Sequence, residues 1–143
     1  MVAGDICSRQ TIICLPGDKI QDAVELMHRY NVGALVAVET DSIGNRPVGI
    51  ITDRDIALKV VRSGLKSEEL SVGDLMTSRL VVANEREDIY EVLKKMRSKV
   101  VRRIPVTDDK GYLKGILTIE DVLEYISREL CDIMNLFKKE QAR

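Results

Sequence analysis

A chain of 143 residues with 22 Lys and Arg against 23 Asp and Glu has a formal net charge of -1 and the length of one compact domain, or of two very small ones sharing a core. Its 45% hydrophobic and 31% charged content excludes disorder as the main state, and at this length no metal or disulfide staple is needed to complete a core. The near-neutral balance excludes broad phosphate neutralisation of a nucleic acid, 3% aromatics without Trp leave few stacking platforms, and no apolar run approaches a membrane span.

The first residues, Met1 to Asp5, lack a basic segment followed by an apolar one, so we expect a cytoplasmic protein. Cys7, Cys14 and Cys131 are odd in number and lack paired metal or redox spacing, and are expected to be reduced structural thiols. Ile12 to Leu15 is a short apolar run with β-branched residues, predicted as a strand. A helix follows, with Asp18 as its expected N-cap, Gln21 three residues on, and Ile20, Ala23, Val24 and Met27 at helical spacing. Val32 to Val38 is a continuous apolar run, predicted as a strand covered on both faces. A turn marked by Asp41, Gly44, Asn45 and Pro47 leads to a strand at Val48 to Ile51 and a helix starting near Asp55.

The same order then recurs. Leu80 to Ala83 is a strand; Asp88 with Glu91, then Ile89, Val92, Leu93 and Met96, form a capped helix. Val100 to Val106 is an apolar run broken by Arg102 and Arg103, Leu113 to Leu117 is a strand, and a helix begins near Asp121. Residues 4 to 38 overlie residues 73 to 107 with a constant offset of 69, so that Gly4-Asp5-Ile6 falls on Gly73-Asp74-Leu75. The offset then becomes 66, with Gly49 to Ile56 falling on Gly115 to Val122, and the three extra residues lie in the turn before Gly49. The expected fold is α/β (α+β), two β-α-β-β-α repeats over residues 1–66 and 67–143, packed with pseudo-twofold symmetry because neither buries much alone. A pseudo-dyad produces clefts between the halves in pairs.

The order, spacing and duplication of Gly73-Asp74-Leu75-Met76-Thr77, of Val32-Gly33-Ala34-Leu35-Val36 and Arg102-Arg103-Ile104-Pro105-Val106, and of the two Gly-x-x-Thr-x-x-Asp segments resemble a tandem pair of cystathionine-β-synthase-type (CBS) domains, a Bateman module. The resemblance runs from Asp5 to about Ile126. It implies a regulatory protein whose clefts bind AMP, ADP, ATP or S-adenosylmethionine, with no cofactor required, and which pairs into a homodimer that signals to a protein partner. Thr52 and Thr118 would contact the phosphate or ribose side, and Asp55 and Asp121 would accept hydrogen bonds from ribose hydroxyls, as an acidic residue does in dinucleotide folds. The same residues also read as helix caps, and the two roles are compatible. Ile12, Ile13, Val81 and Val82 on the first strands would bear the adenine, beside Ala34 and Pro105 of the next strand.

Two guanidinium groups inside an apolar strand demand an anion or solvent, so Arg102 and Arg103 are candidate phosphate ligands, with pairing to a carboxylate as the alternative. The first repeat has Gly33 and Ala34 there, with Arg54 as a substitute charge, so we expect unequal clefts, the one at Asp121 better for phosphorylated ligands. His28 has no nucleophile or orienting group at catalytic spacing, no acid-base dyad is present, and no enzyme activity is expected. Past Asp121, the apolar stripe Val122, Ile126, Leu130, Ile133 and Phe137 reads as a dimer or partner surface, or as a helix folded back on its own sheets. A module with vestigial clefts that only dimerises and scaffolds is the competing function.

Overall fold

A computed structural model describes residues 1–142. In chain order the elements are α1 (Ala3–Ile6), β1 (Ile13–Cys14), α2 (Ile20–Tyr30), β2 (Ala34–Thr40), β3 (Asn45–Thr52) and α3 (Asp53–Ser63). A 3-10 turn at Ser67–Glu69 leads to α4 (Val72–Leu75), β4 (Ala83–Asn84), α5 (Ile89–Lys99), β5 (Arg103–Thr107), β6 (Leu113–Thr118) and α6 (Ile119–Gln141). The strands form two three-stranded sheets of identical topology, β1-β2-β3 and β4-β5-β6, with the first pair parallel and the second antiparallel in each. The expected α/β duplication is therefore present, and each antiparallel pair carries a register irregularity at the same place, Ala37/Val38 and Val106/Thr107.

Local chemistry sets the boundaries. α3 and α6 start two residues earlier than the Asp55 and Asp121 signals because Thr52 and Thr118 are the N-caps. Asp88 caps α5 as expected, accepting from the Tyr90 N–H at 3.0 Å. Asp18 does not cap α2: the N-cap is Lys19, and Asp18 Oδ2 instead accepts from the Leu15 N–H at 2.8 Å, closing the turn that precedes the helix. Gln21 turns away to Glu68 Oε1 at 3.2 Å rather than completing a box.

Each repeat lends its opening segment to the other. The Ala3 and Gly4 N–H groups donate to the Glu87 and Glu85 carbonyls, and Ser8 pairs with Ile116 of β6 through two bonds of 2.9 Å. Reciprocally, the Val72 and Gly73 N–H groups donate to the Asp18 and Pro16 carbonyls, and Thr77 pairs with Ile50 of β3. The cores follow: Leu70, Val72 and Leu75 pack with Ile20, Leu35 and Ile51, whereas Ala3 packs with Ile89, Ile104 and Leu117. Gly49 and Gly115 permit the approach; a Cβ on Gly49 would stand 2.7 Å from Met76 Sδ, and one on Gly115 would stand 2.5 Å from the Ser8 carbonyl oxygen.

The far ends are tied as well. Tyr112, in the β5–β6 connection, donates its hydroxyl to Asp41 Oδ2 in the β2–β3 turn at 2.7 Å, and Arg46 lies 4.3 Å over its ring. Asn31 and Val100, equivalent residues, both end their helices in the left-handed conformation, with φ of 51° and 54°. A β-branched residue is strained there.

Candidate functional site

The capping boxes are built identically in both repeats. Thr52 Oγ1 accepts from the Asp55 N–H at 3.0 Å while Asp55 Oδ2 accepts from the Thr52 N–H at 3.2 Å; in the other repeat the distances are 3.2 Å and 2.9 Å between Thr118 and Asp121. One oxygen of each carboxylate is thereby committed to the helix end. The other oxygen of Asp55 has only Lys59 Nζ at 3.8 Å, so it retains capacity for a hydroxyl donor.

The Asp55 box opens into a cleft of about 400 Å³ between the repeats, a volume within the roughly 300–1,000 Å³ range of small-molecule sites. One wall is Ile50 and the Thr52–Asp55 turn; the facing wall is the Thr77–Val81 segment that pairs onto β3, together with Val101, Arg102 and Arg103 at the start of β5. Arg54, Arg79, Arg102 and Arg103 thus converge on one space. Arg102 is engaged, with Nη2 2.8 Å from Glu120 Oε1. Among the described residues, Arg54, Arg79 and Arg103 form no ion pair. Glu120 is held below the ordinary carboxylate value first by its own backbone N–H and then by the Arg102 and Arg103 charges.

This geometry corrects the assignment of the arginines to the Asp121 cleft. They line the cleft at Asp55, which is built across the repeats: the exchanged opening segment carries the second repeat's strand entrance onto the first repeat's β3. Arg79 and Asp53 were not singled out in the sequence. Arg79 lies in an irregular segment outside any helix or strand, and only the exchange reveals what it faces. Asp53 Oδ1 accepts from the Arg54 N–H at 2.8 Å and steadies that turn.

The apolar candidates separate by side. Val81 lines the cleft, but Val82 is exposed and outside it, as alternation along an extended segment requires, with Lys95 Nζ 3.0 Å from its carbonyl. Ile12 packs against the first core, Ile13 is exposed, Ala34 is half-buried, and Pro105 is buried in the middle of its sheet. Pro105 is therefore no direct lining residue, yet it matters to the cleft. In the first repeat the Val36 N–H donates to the Ile12 carbonyl at 3.2 Å; Pro105, at the equivalent place, has no N–H, so β5 cannot satisfy the Val81 carbonyl.

Thr118, Asp121, Ile12 and Ala34 lie at the pseudo-symmetric position. Applying the repeat offsets, Arg54 is replaced there by Glu120, Arg79 by Gln10, Arg102 by Gly33 and Arg103 by Ala34. All four cations are lost and one anion is gained. The Thr11 hydroxyl on this side is buried without a hydrogen-bond partner, and Cys7, half-buried near Asp121, has its thiol pushed up chiefly by burial. Burial also raises Cys14, to about 11; Cys131 is exposed, and all three thiols are free.

Elsewhere, His28 is exposed on α2. Among the described residues no cluster of three His, Cys, Asp or Glu is placed to hold a metal ion, and no helix is long and apolar enough to cross a membrane.

The family model of the CBS domain matches twice, over residues 3–62 and 72–128. An uncharacterised protein of Methanopyrus kandleri, MK0525, is 31% identical over 140 residues, which is 96% of this chain and 70% of that protein. The mitochondrial CBS domain-containing protein CBSX3 of Arabidopsis thaliana is 35% identical over 118 residues, covering 81% of this chain and 56% of its own length. An inosine-5'-monophosphate dehydrogenase of Methanocaldococcus jannaschii is 30% identical, but only 23% of that enzyme is spanned. Among solved structures, the CBS domain pair of protein MJ0100 in complex with 5'-methylthioadenosine and S-adenosyl-L-methionine has a TM-score of 0.77 at 28% identity, covering 90% of this chain and 98% of that one. Hypoxic Response Protein I, with two coordinated zinc ions, has a TM-score of 0.75 at 28% identity, covering 87% of this chain and 98% of that one.

Proposed function

The chain belongs to the CBS domain family, and from that premise we propose that it is a non-catalytic regulatory module that binds adenine nucleotides in the cleft at Asp55. The observation that carries the reading is the convergence of four arginines, three of them without a carboxylate partner, on a carboxylate with one oxygen still available. Guanidinium forks suit phosphate oxygens, the α3 N-terminus adds its positive end, and the free oxygen of Asp55 suits a ribose hydroxyl. The Val81 carbonyl, unmet by Pro105, would accept from the exocyclic amine of adenine. AMP, ADP and ATP therefore fit this cleft better than an uncharged nucleoside does.

The equivalent position at Thr118 and Asp121 suits the opposite charge class. With Glu120, Gln10, Gly33 and Ala34 at the places equivalent to the four arginines, it favours adenosyl compounds lacking phosphate, of which S-adenosylmethionine and methylthioadenosine are examples. MJ0100, similar in fold, is a pair that holds those two molecules. Occupancy would be passed on through the arrangement of two copies or to a protein partner, provided the ligand binds one arrangement better than another. Thermal-shift titration with adenosine, AMP, ATP and S-adenosylmethionine tests the proposal: a ligand at one hundred times its Kd stabilises by about 2.7 kcal/mol. A rise with AMP or ATP that exceeds the rise with adenosine is expected; no rise with any of them at millimolar concentration replaces the sensor with a scaffold whose clefts are vestigial.

A further inference from the structure

Lys59 lies on α3 one turn beyond Asp55, outside the residues that line the cleft. Its ammonium donates to the Leu75 carbonyl at 2.7 Å, a bond that crosses from the first repeat to the last residue of α4, the opening segment lent by the second. The same nitrogen stands 3.8 Å from Asp55 Oδ1, the oxygen that the capping box leaves over. An ammonium on a flexible stem beside a partly exposed carboxylate orients little by itself, because solvent screens the pair and the stem is free to move. Here Leu75, a buried residue, anchors the nitrogen, so the position of the charge is set by the packing of the two repeats. The last torsion of an Asp side chain is broad and two-fold. With the Thr52 N–H on one oxygen and an anchored cation facing the other, the plane of the Asp55 carboxylate is defined.

This arrangement is particular to the arginine-lined cleft. By the repeat offsets, Tyr125 stands where Lys59 does and Ile6 where Leu75 does, so Asp121 has an uncharged phenol one turn on. We propose that Lys59 is a positioning residue of the Asp55 cleft: acting through Asp55, it aims the free carboxylate oxygen at the ribose, and the second repeat supplies the carbonyl that holds it in place. The proposal rests on the nucleotide reading of that cleft. It adds that affinity for the sugar is governed by a contact between the repeats that no ligand touches.

Calorimetric titration of the full chain with adenosine, AMP and ATP tests it. Lys59→Met should weaken all three by the same factor, about three- to fivefold, the worth of a partly exposed ion pair. Far-UV circular dichroism of this variant should match the parent, because 45% of the Lys59 side chain is exposed. Lys59→Arg, which keeps a cation and its donors, should restore most of the AMP affinity. In an Asp55→Ala chain, Lys59→Met should cost AMP nothing further. A Lys59→Met protein that loses stability but binds AMP as the parent does makes Lys59 a strut between α3 and α4 and overturns the proposal. So does a loss that grows from adenosine to ATP, which reports a missing counter-charge, a further loss in the Asp55→Ala chain, or an arginine variant no better than the methionine one. A parent that binds none of the three removes the nucleotide reading itself, and is told apart because every other outcome requires a parent that binds.

Discussion

Arg102, on the wall of the Asp55 cleft, is held by Glu120 of the first turn of α6, Nη2 to Oε1 at 2.8 Å. A phosphate entering the cleft would compete for that guanidinium with the first turn of α6. Arg102 is 76% exposed, so the pair is worth only about 0.2–1 kcal/mol after solvent screening. Glu120→Gln should therefore tighten AMP and ATP by no more than about fivefold and leave adenosine unchanged, as measured by calorimetry.

Asp55→Ala and Asp121→Ala each break a capping box and should each lower stability by about 1 kcal/mol. They should part in binding. Loss of a hydrogen bond to a charged group reduces affinity roughly 10- to 100-fold, and only Asp55→Ala should do so for AMP. Equal losses from both variants would remove the assignment of the nucleotide to the arginine-lined cleft.

Arg103→Ala should reduce affinity more for ATP than for AMP and not at all for adenosine, because its guanidinium forms no ion pair in the cleft and meets only added phosphate charge. Loss of the same factor for all three would contradict a phosphate role.

Val100→Gly should raise stability by about 1 kcal/mol, since Val100 holds a φ of 54° that costs a side-chain-bearing residue about 1–2 kcal/mol, offset in part by glycine's greater unfolded-state entropy. Gly115→Ala should do the reverse, by about 2 kcal/mol or more, because its Cβ would collide with the Ser8 carbonyl and Cys7 Sγ at 2.5 and 2.8 Å. Chemical denaturation of both variants measures the difference.

The Asp41–Tyr112 contact should shape the pH profile at both ends. Asp41 sits below its ordinary 3.8, first through the Tyr112 hydroxyl, so its contribution is present above that value and fades as pH falls through the lowered one. Tyr112 sits above its ordinary 10.0, first through Asp41, so its contribution is present below 10.0 and fades as pH rises through the raised one. Tyr112→Phe should flatten the stability loss on the alkaline side and weaken the acid dependence; unchanged profiles would show that the contact adds nothing.

Duplication, strand order and both capping boxes were legible in the sequence because period and cap chemistry are local. Thr52 with Asp55 and Thr118 with Asp121 could be read three residues apart. The placing of Arg103 and Asp55 on one cleft could not, since it depends on Thr77 pairing with Ile50 across the repeat boundary. Arg102 and Arg103 were grouped with Asp121 because they share its repeat, and Arg79, outside any periodic run, carried no local signal at all. Asp18 misled for a related reason: an acidic residue before an apolar helix can bond backward to Leu15 as readily as forward.

Because Ala3, Gly4 and Ser8 bond Glu87, Glu85 and Ile116, the opening segment of the first repeat must wait for β6 of the second before it finds its place. The first sheet receives its clasp earlier, from Val72 to Thr77, and a break near residue 66 would give two fragments, each holding the other's missing piece.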